Sequence, residues 1–371
     1  MEINYLVAWN KNKKLTWSGT CWSLREAFIR NGISIKDHNI INKKPKIYLR
    51  LLKKLRINKK IDDLNLHNII NNRRNLSFLN KSPNKIIFQF GEYIQNSKYI
   101  KSFIYLDMDV LSVEKLHDTD KKAFNFSNYR FASSKSIQKR AKSQLDYFKT
   151  CSGIFTMGKW LKKEIEKKTQ IKAPVYSVGA GINLDPSIID DSYKTNNKFL
   201  FVGRDFKRKG GYLVYKAFEK LHKNNPNLEL YVAGPKSNPI DTPCEGYHFC
   251  GDCTYEKTAQ LYNKCDVFCL PSYFEAYGIA FIEALTFGLP CIGRRCQEMP
   301  YFIEENVTGY CIDDDNIDYL AQKMESLLTN KQIFQNVKQK RSWYLKEYSW
   351  DEVAKRIINT INETTGNNSI S

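Results

Sequence analysis

Residues 266–285 admit few folds. Asp266-Val267-Phe268-Cys269-Leu270 is a short apolar run stopped by Pro271, the pattern of a buried strand that enters a loop. From Gly278 onward, Ile279, Ile282, Ala284, Leu285 and Phe287 keep close to helical spacing, and Gly288 followed by Pro290 supplies the stop. A buried strand, a loop and a helix thus follow one another within twenty-odd residues, a tight sequence that fixes where the loop must sit.

Two carboxylates flank the start of that helix. Glu275 lies on the loop and Glu283 about one and a half turns into the helix. Free backbone N–H groups and the positive end of the helix dipole attract a phosphate at such a terminus, so the carboxylates are left to hold neutral polyols. An ionised carboxylate accepts hydrogen bonds from hydroxyl pairs, so Glu275 suits a hexose and Glu283 a ribose, on either side of the phosphates. By spacing alone the pair also reads as a loop acid beside a solvated helix acid.

A second constellation points the same way. Lys198-Phe199-Leu200-Phe201-Val202 reads as a strand, Gly203-Arg204-Asp205-Phe206-Lys207-Arg208-Lys209-Gly210-Gly211 as a glycine turn dense in cations, and Leu213, Ala217, Phe218 and Leu221 as one face of a helix. Arg204 and Lys209, on that turn, can clamp a diphosphate and offset charge that builds on it as a leaving group.

Taken in order, Phe201-Val202-Gly203-Arg204 with Lys209-Gly210, Ala233-Gly234, Phe249-Cys250-Gly251, Asp266-Val267 with Pro271-Ser272, and Glu275 through Glu283 resemble the donor half of retaining, nucleotide-sugar-dependent glycosyltransferases of family 4. The resemblance covers residues 198 to about 350, with support from residues 153–160, 178–182 and Ser349-Trp350, and is weak over residues 1–150. It implies a GT-B architecture: two Rossmann-like parallel-sheet domains facing across a cleft, with a C-terminal helix crossing back to the first. It implies no required metal or cofactor, and a UDP- or GDP-hexose as donor substrate. Gly203, Arg204, Lys209, Gly234, Cys250, Gly251, Glu275, Ala276, Tyr277, Gly278 and Glu283 become donor-binding residues, with Gly234 and Gly251 framing the base. Arg204, Lys209 and Glu275 take catalytic roles. The family usually has Ser-Glu-Trp where this chain has Gly158-Lys159-Trp160, which removes a side-chain role there.

Length and composition accommodate this. A chain of 371 residues with 42% hydrophobic content can pack two cores. The polar stretch around Pro186 and Thr195-Asn196-Asn197 reads as a linker. The expected organisation is an acceptor-side domain over 1–185, a linker over 186–197, a nucleotide-sugar domain over 198–349, and a crossover helix with a frayed tail over 350–371.

Residues 3–9 read as a buried strand, Trp17-Ser18-Gly19-Thr20 as a loop and residues 21–30 as a helix. The resemblance likens that loop to the glycine loop that closes over the reaction centre, making Gly19 and Thr20 site candidates. Residues 86–90 and 103–106 look like further strands, with Asp107-Met108-Asp109 at the end of the second, where a parallel sheet presents its ligands. Tyr105-Leu106-Asp107 is similar to the Tyr-x-Asp arrangement of some family members, which gives Asp107 the task of orienting the acceptor or the donor hexose.

Net charge is +19, divided as +20 over residues 1–190 and −1 over 191–371. Its densest part, residues 43–60, carries nine basic residues and no acid. Tyr48, Leu51, Leu52 and Leu55 share one helical face there, while Lys46, Arg50, Lys53 and Lys54 crowd the others, so the segment suits an anionic membrane surface or an anionic acceptor as well as it suits a core-packing helix. No nucleic-acid-binding signature accompanies the charge, which leaves nucleic acid the weaker partner. Cys250 and Cys253 have a CxxC interval without a second pair to complete a four-thiolate site, so no metal is expected. With no signal-peptide pattern and no run of 18 apolar residues, the expected location is the cytoplasm, peripheral on the membrane face.

The expected function is therefore hexosyl transfer from a nucleotide sugar to a glycan or lipid-linked acceptor in surface polysaccharide or glycolipid synthesis. The alternatives are a GT-B epimerase or a non-catalytic sugar-nucleotide-binding protein.

Overall fold

The computed structural model describes residues 1–40, 85–94, 96–97, 99–127 and 129–366. The basic segment 43–60, with Lys46, Arg50, Lys53 and Lys54, lies outside the described residues. The chain divides into two compact units, Met1–Gly181 with Trp350–Ser371, and Ile182–Ser349.

The first unit is built on a six-stranded sheet of β1 (Glu2–Val7), β2 (Ser34–Asn39), β3 (Lys85–Gln89), β4 (Ile100–Leu106), β5 (Gly153–Thr156) and β6 (Val175–Ser177), in the order β2-β1-β3-β4-β5-β6. Its ladders are all parallel. Central strands of a parallel sheet are covered on both faces and need apolar side chains throughout, which β3 and β4 supply: Ile87, Phe88, Phe103, Ile104 and Tyr105 are at most 1% exposed. The helix Trp350–Thr365 belongs to this unit. Its Asp351 pairs with Arg30 at 3.0 Å, its Arg356 Nη1 donates to the Val178 carbonyl at 2.7 Å, and its Trp350 ring packs against Gly181 so closely that a Cβ there would come within 2.6 Å.

The second unit repeats the plan with β7 (Lys198–Val202), β8 (Glu229–Ala233), β9 (Tyr247–Gly251), β10 (Val267–Cys269), β11 (Cys291–Arg294) and β12 (Gly309–Ile312), in the order β12-β11-β10-β7-β8-β9 and again parallel. Cys265, Cys269 and Cys291 are fully buried, small apolar residues of this core. Residues 182–197 are tied to the same unit: Asp266 accepts from the backbone N–H groups of Thr195, Asn197 and Lys198, and Arg341 makes two 3.0 Å hydrogen bonds to Asp191. Among the described residues, no helix is long and apolar enough to cross a membrane.

Candidate functional site

In the second sheet the chain runs from β7 outward through β8 and β9 on one side, and returns to begin β10 on the other. The boundary between β7 and β10 is thus a topological switch point, where the loops leaving the carboxyl ends of two neighbouring strands diverge and leave room for a ligand. Register pairs Val267 with Phe199 and Phe268 with Leu200, so the cation-rich turn after β7 and the glutamate loop after β10 rise side by side. Gly210 shows how closely they pack. It has φ +76, and a Cβ there would lie 2.5 Å from the Pro271 carbonyl oxygen, so glycine is demanded by conformation and by space.

This juxtaposition joins the two constellations through an ion pair. Lys209 Nζ donates to Glu275 Oε2 at 2.5 Å, Ser272 Oγ donates to the same oxygen at 3.1 Å, and Arg208 Nη1 stands 3.9 Å away. Both partners of the pair are nearly buried, with 13% and 10% of their side chains exposed. Burial alone would raise the Glu275 carboxyl, but the charges of Lys209 and Arg208, with the hydrogen bonds from Lys209 and Ser272, outweigh it and hold the group below its ordinary range. Glu275 is ionised at neutral pH.

Three residues that the sequence did not single out support the loop. Arg208 Nη1 donates to the Phe274 carbonyl at 2.5 Å, and the Arg208 carbonyl accepts from Tyr273 N–H at 2.9 Å. Gln297 Oε1 accepts from the Glu275 N–H at 3.4 Å, and Arg294, at the end of β11, lies 4.6 Å over the Tyr273 ring with Nη2 2.7 Å from Asp315. Arg204, by contrast, is largely exposed and sits 3.6 Å from Asp252. Arg204 and Lys209 read alike along the glycine turn, because position on the turn is written in the sequence and the direction of each side chain is not.

Gly278 caps the helix Ile279–Thr286 with a left-handed backbone and no side-chain hydrogen bond, leaving that terminus to its own N–H groups. Tyr277 is buried with its ring edge-on to Phe302, 5.0 Å away, and Ala276 lies between it and Glu275. Glu283, inside the helix, contrasts with Glu275. It is buried, it accepts from the Asn183 N–H at 3.3 Å, and burial raises its carboxyl to about 8 against that opposing hydrogen bond. At neutral pH Glu283 is a neutral acid, so of the two groups treated alike in the spacing argument only Glu275 carries charge.

The rest of this rim comes from β7, β8 and β9. Gly234 N–H donates to the Gly251 carbonyl at 2.7 Å, and with φ +112 its missing Cβ would fall 2.6 Å from the carbonyl carbon of Gly203. Gly203, Gly234 and Gly251 therefore form one close-packed backbone rim, and Cys250 is half-buried beside it. Gly19 and Asp107 are in the first unit. Gly19 caps the helix Thr20–Arg30 with φ 95, and Asp107 follows β4 directly. The adjacent Asp109 caps the helix Val110–Thr119 by accepting from Ser112 N–H at 2.6 Å. Among the described residues, no three His, Cys, Asp or Glu side chains are grouped to hold a metal ion.

Residues 188–349 match the sequence profile of the family described as glycosyl transferases group 1. Over 184 residues the chain is 24% identical to a D-inositol 3-phosphate glycosyltransferase of Corynebacterium glutamicum, a match that covers 46% of this chain and 44% of that one. The chain thus spans less than half the length of the curated relatives it matches first. In fold it is similar to the sucrose-phosphate synthase of Thermosynechococcus elongatus, with a TM-score of 0.67 at 13% identity over 99% of this chain and 100% of that chain. It is similar also to WaaG, a glycosyltransferase involved in lipopolysaccharide biosynthesis, with a TM-score of 0.61 at 15% identity over 96% and 99%. The chain has the two-sheet α/β fold of GT-B glycosyltransferases, and the stretch that matches the group 1 glycosyl transferase family, residues 188–349, lies within its second unit.

Proposed function

We propose that this protein is a retaining glycosyltransferase that moves a hexose from a UDP- or GDP-sugar to a hydroxyl of a glycan or lipid-linked acceptor. The observation that carries the reading is the Lys209–Glu275 pair at the β7/β10 switch point, beside a helix N-terminus without a side-chain cap. The diphosphate would lie at the N–H groups after Gly278, with Lys209 and the exposed Arg204 supplying positive charge. Glu275, kept ionised by Lys209, would accept from hexose hydroxyls, and Glu283 would take the ribose.

In the reaction, the bond from the anomeric carbon to the diphosphate oxygen breaks as the acceptor hydroxyl attacks from the same face. The departing phosphate takes the acceptor proton, and Arg204 and Lys209 offset the charge it gains. Asp107, at the end of β4, would orient the acceptor. The charge excess of the first 190 residues supports an anionic acceptor or membrane surface as the partner.

The test is a panel of UDP- and GDP-hexoses assayed for consumption and for nucleotide release, with the anomeric configuration of any product read by NMR. One donor consumed with its configuration kept is the expected result, and Lys209→Ala should abolish it. Nucleotide binding without consumption of any donor would leave a sugar-nucleotide-binding protein in its place. Glu283→Ala should weaken nucleotide binding about tenfold, as expected for loss of a hydrogen bond of roughly 1.5 kcal/mol.

A further inference from the structure

The loop between β1 and the helix Thr20–Arg30 holds two non-glycine residues in a conformation that favours glycine. Trp17 has φ 49 and ψ 49, and Ser18 has φ 54 and ψ 34, directly before Gly19 at φ 95. Left-handed backbone at tryptophan is costly and persists only where the surroundings over-determine it. They do so here. Asn10 donates its backbone N–H to the buried Thr16 hydroxyl at 3.0 Å and its side-chain amide to the Leu15 carbonyl at 3.1 Å, and Thr20 N–H closes back on the Trp17 carbonyl.

The conformation turns an indole outward. Trp17 is 40% exposed, and Phe90, after β3, supports it edge-on at 5.4 Å and 86°. Phe90 in turn meets Tyr5 and Tyr105 at 5.4 and 5.6 Å, so the ring stands on a fixed aromatic base. Asp107 leaves the neighbouring strand β4 two residues after Tyr105, at the same carboxyl edge of the sheet. Its charge adds to burial in raising the thiol of Cys21, in the first turn of the helix that follows the Trp17 loop. A flat ring braced at one edge of the sheet and a carboxylate beyond it match the two surfaces of a pyranose: an apolar C–H face and a rim of hydroxyls.

Resting on the glycosyl-transfer reading and extending it to the acceptor, we propose that Trp17 is a stacking platform for a pyranose ring of the acceptor, and that this contact holds the loop's strained backbone in use. The acceptor is then a glycan or glycoside with a free pyranose face, and not a simple polyol.

The test uses the full chain and saturation-transfer NMR with the methyl α-glycosides of glucose, galactose and mannose, and with glycerol as a polyol that cannot stack. At least one pyranoside should give signals from the C–H groups of one ring face, glycerol should give none, and Trp17→Gly should cut the pyranoside signals by about fivefold or more while Trp17→Phe retains them. Glycine accepts this backbone freely, which offsets part of the packing lost against Phe90, so the melting temperature of Trp17→Gly should fall by no more than about 5 °C. Signals equal in wild type and Trp17→Gly, or absent from the wild type, overturn the proposal. So does a fall in melting temperature of more than about 5 °C in Trp17→Gly, which would mark the ring as packing for Phe90. Binding of UDP and GDP by the wild type, measured on the same samples, reports on the glycosyl-transfer reading separately.

Discussion

The carboxyl edges of the two sheets occupy equivalent places in two similar topologies, yet they are built from different chemistry. The first is lined by rings: Trp17 rests on Phe90, and Phe90 on Tyr5 and Tyr105. The second is lined by charges: Lys209 and Arg208 about Glu275, and Arg294 between Tyr273 and Asp315. Net charge runs the other way, since residues 1–190 hold the whole excess and residues 191–371 are close to neutral. A domain's net charge speaks of the surfaces it meets, whereas the chemistry at a sheet edge depends on which few side chains the strand order brings together.

The sharpest way to break this comparison is to remove the cation from the second edge. Lys209→Ala leaves Glu275 nearly buried with Arg208 at 3.9 Å as its remaining cation, and should destabilise the protein by about 3 kcal/mol by urea denaturation. Lys209→Ala with Glu275→Gln should recover much of that loss while donor turnover stays absent. If the single variant is as stable as the wild type, charge pairing is not what organises this edge.

Glu283 gives the next effect, and its sign follows from linkage. Burial lifts its carboxyl from an ordinary value of 4.5 to about 8, so between those values the folded protein keeps a proton that the unfolded chain has lost. Stability on this account is full below pH 4.5 and declines, by up to about 1.4 kcal/mol per pH unit, until it levels off above pH 8. Glu283→Gln keeps an acceptor for Asn183 and should flatten that decline; linkage alone releases about 4 kcal/mol at pH 8, and burying the amide NH2 takes back on the order of 1–2 kcal/mol, for a net gain on the order of 2–3 kcal/mol. Ribose hydroxyls that donate to Glu283 favour its ionised form. Nucleotide binding at pH 7 should therefore release a proton, visible as a dependence of calorimetric heat on buffer ionisation enthalpy and absent from Glu283→Gln.

These two effects also mark where the sequence ceased to be legible. The strands at 198–202 and 266–270, their loops and the helix after Gly278 are readable because buried parallel strands are short apolar runs and because Pro271 and Gly278 punctuate them. That Lys209 meets Glu275 is not readable, because β7 and β10 are neighbours only through strand order, with two further strands between them in the chain. The protonation of Glu283 is likewise invisible in its spacing, since it depends on how completely the packed helix excludes water. Trp17 reads as one letter of a loop, and no propensity foretells its left-handed backbone.

Backbone proximity offers a smaller contrast within the second edge. A Cβ at Gly234 would lie 2.6 Å from Gly203, whereas at Gly251 it would meet nothing within 4 Å, although both have positive φ. Gly234→Ala should cost about 2 kcal/mol or more and separate the β7 and β8 loops, whereas Gly251→Ala should cost about 1 kcal/mol, the conformational share alone. Thermal melts of the two variants would distinguish a rim held by contact from one held only by its dihedral angles.

The smallest effect returns to the first edge, where Asp109 is buried and caps the helix Val110–Thr119. Burial raises its carboxyl from 3.8 to about 6 against its bonds with Ser112, so stability should fall between those values and be flat above them. Asn keeps the oxygen that accepts from Ser112 N–H, so Asp109→Asn should retain the cap and remove the decline between about pH 4 and pH 6; linkage releases about 3 kcal/mol at pH 7, and the amide NH2 that replaces the buried, unpartnered Oδ2 takes back about 2 kcal/mol, for a net gain of about 1 kcal/mol. The double variant with Glu283→Gln separates the two edges by pH. The slope that persists from about pH 6 to pH 8 in Asp109→Asn belongs to the second unit, and its disappearance in the double variant would show that the buried acid of each edge titrates independently of the other.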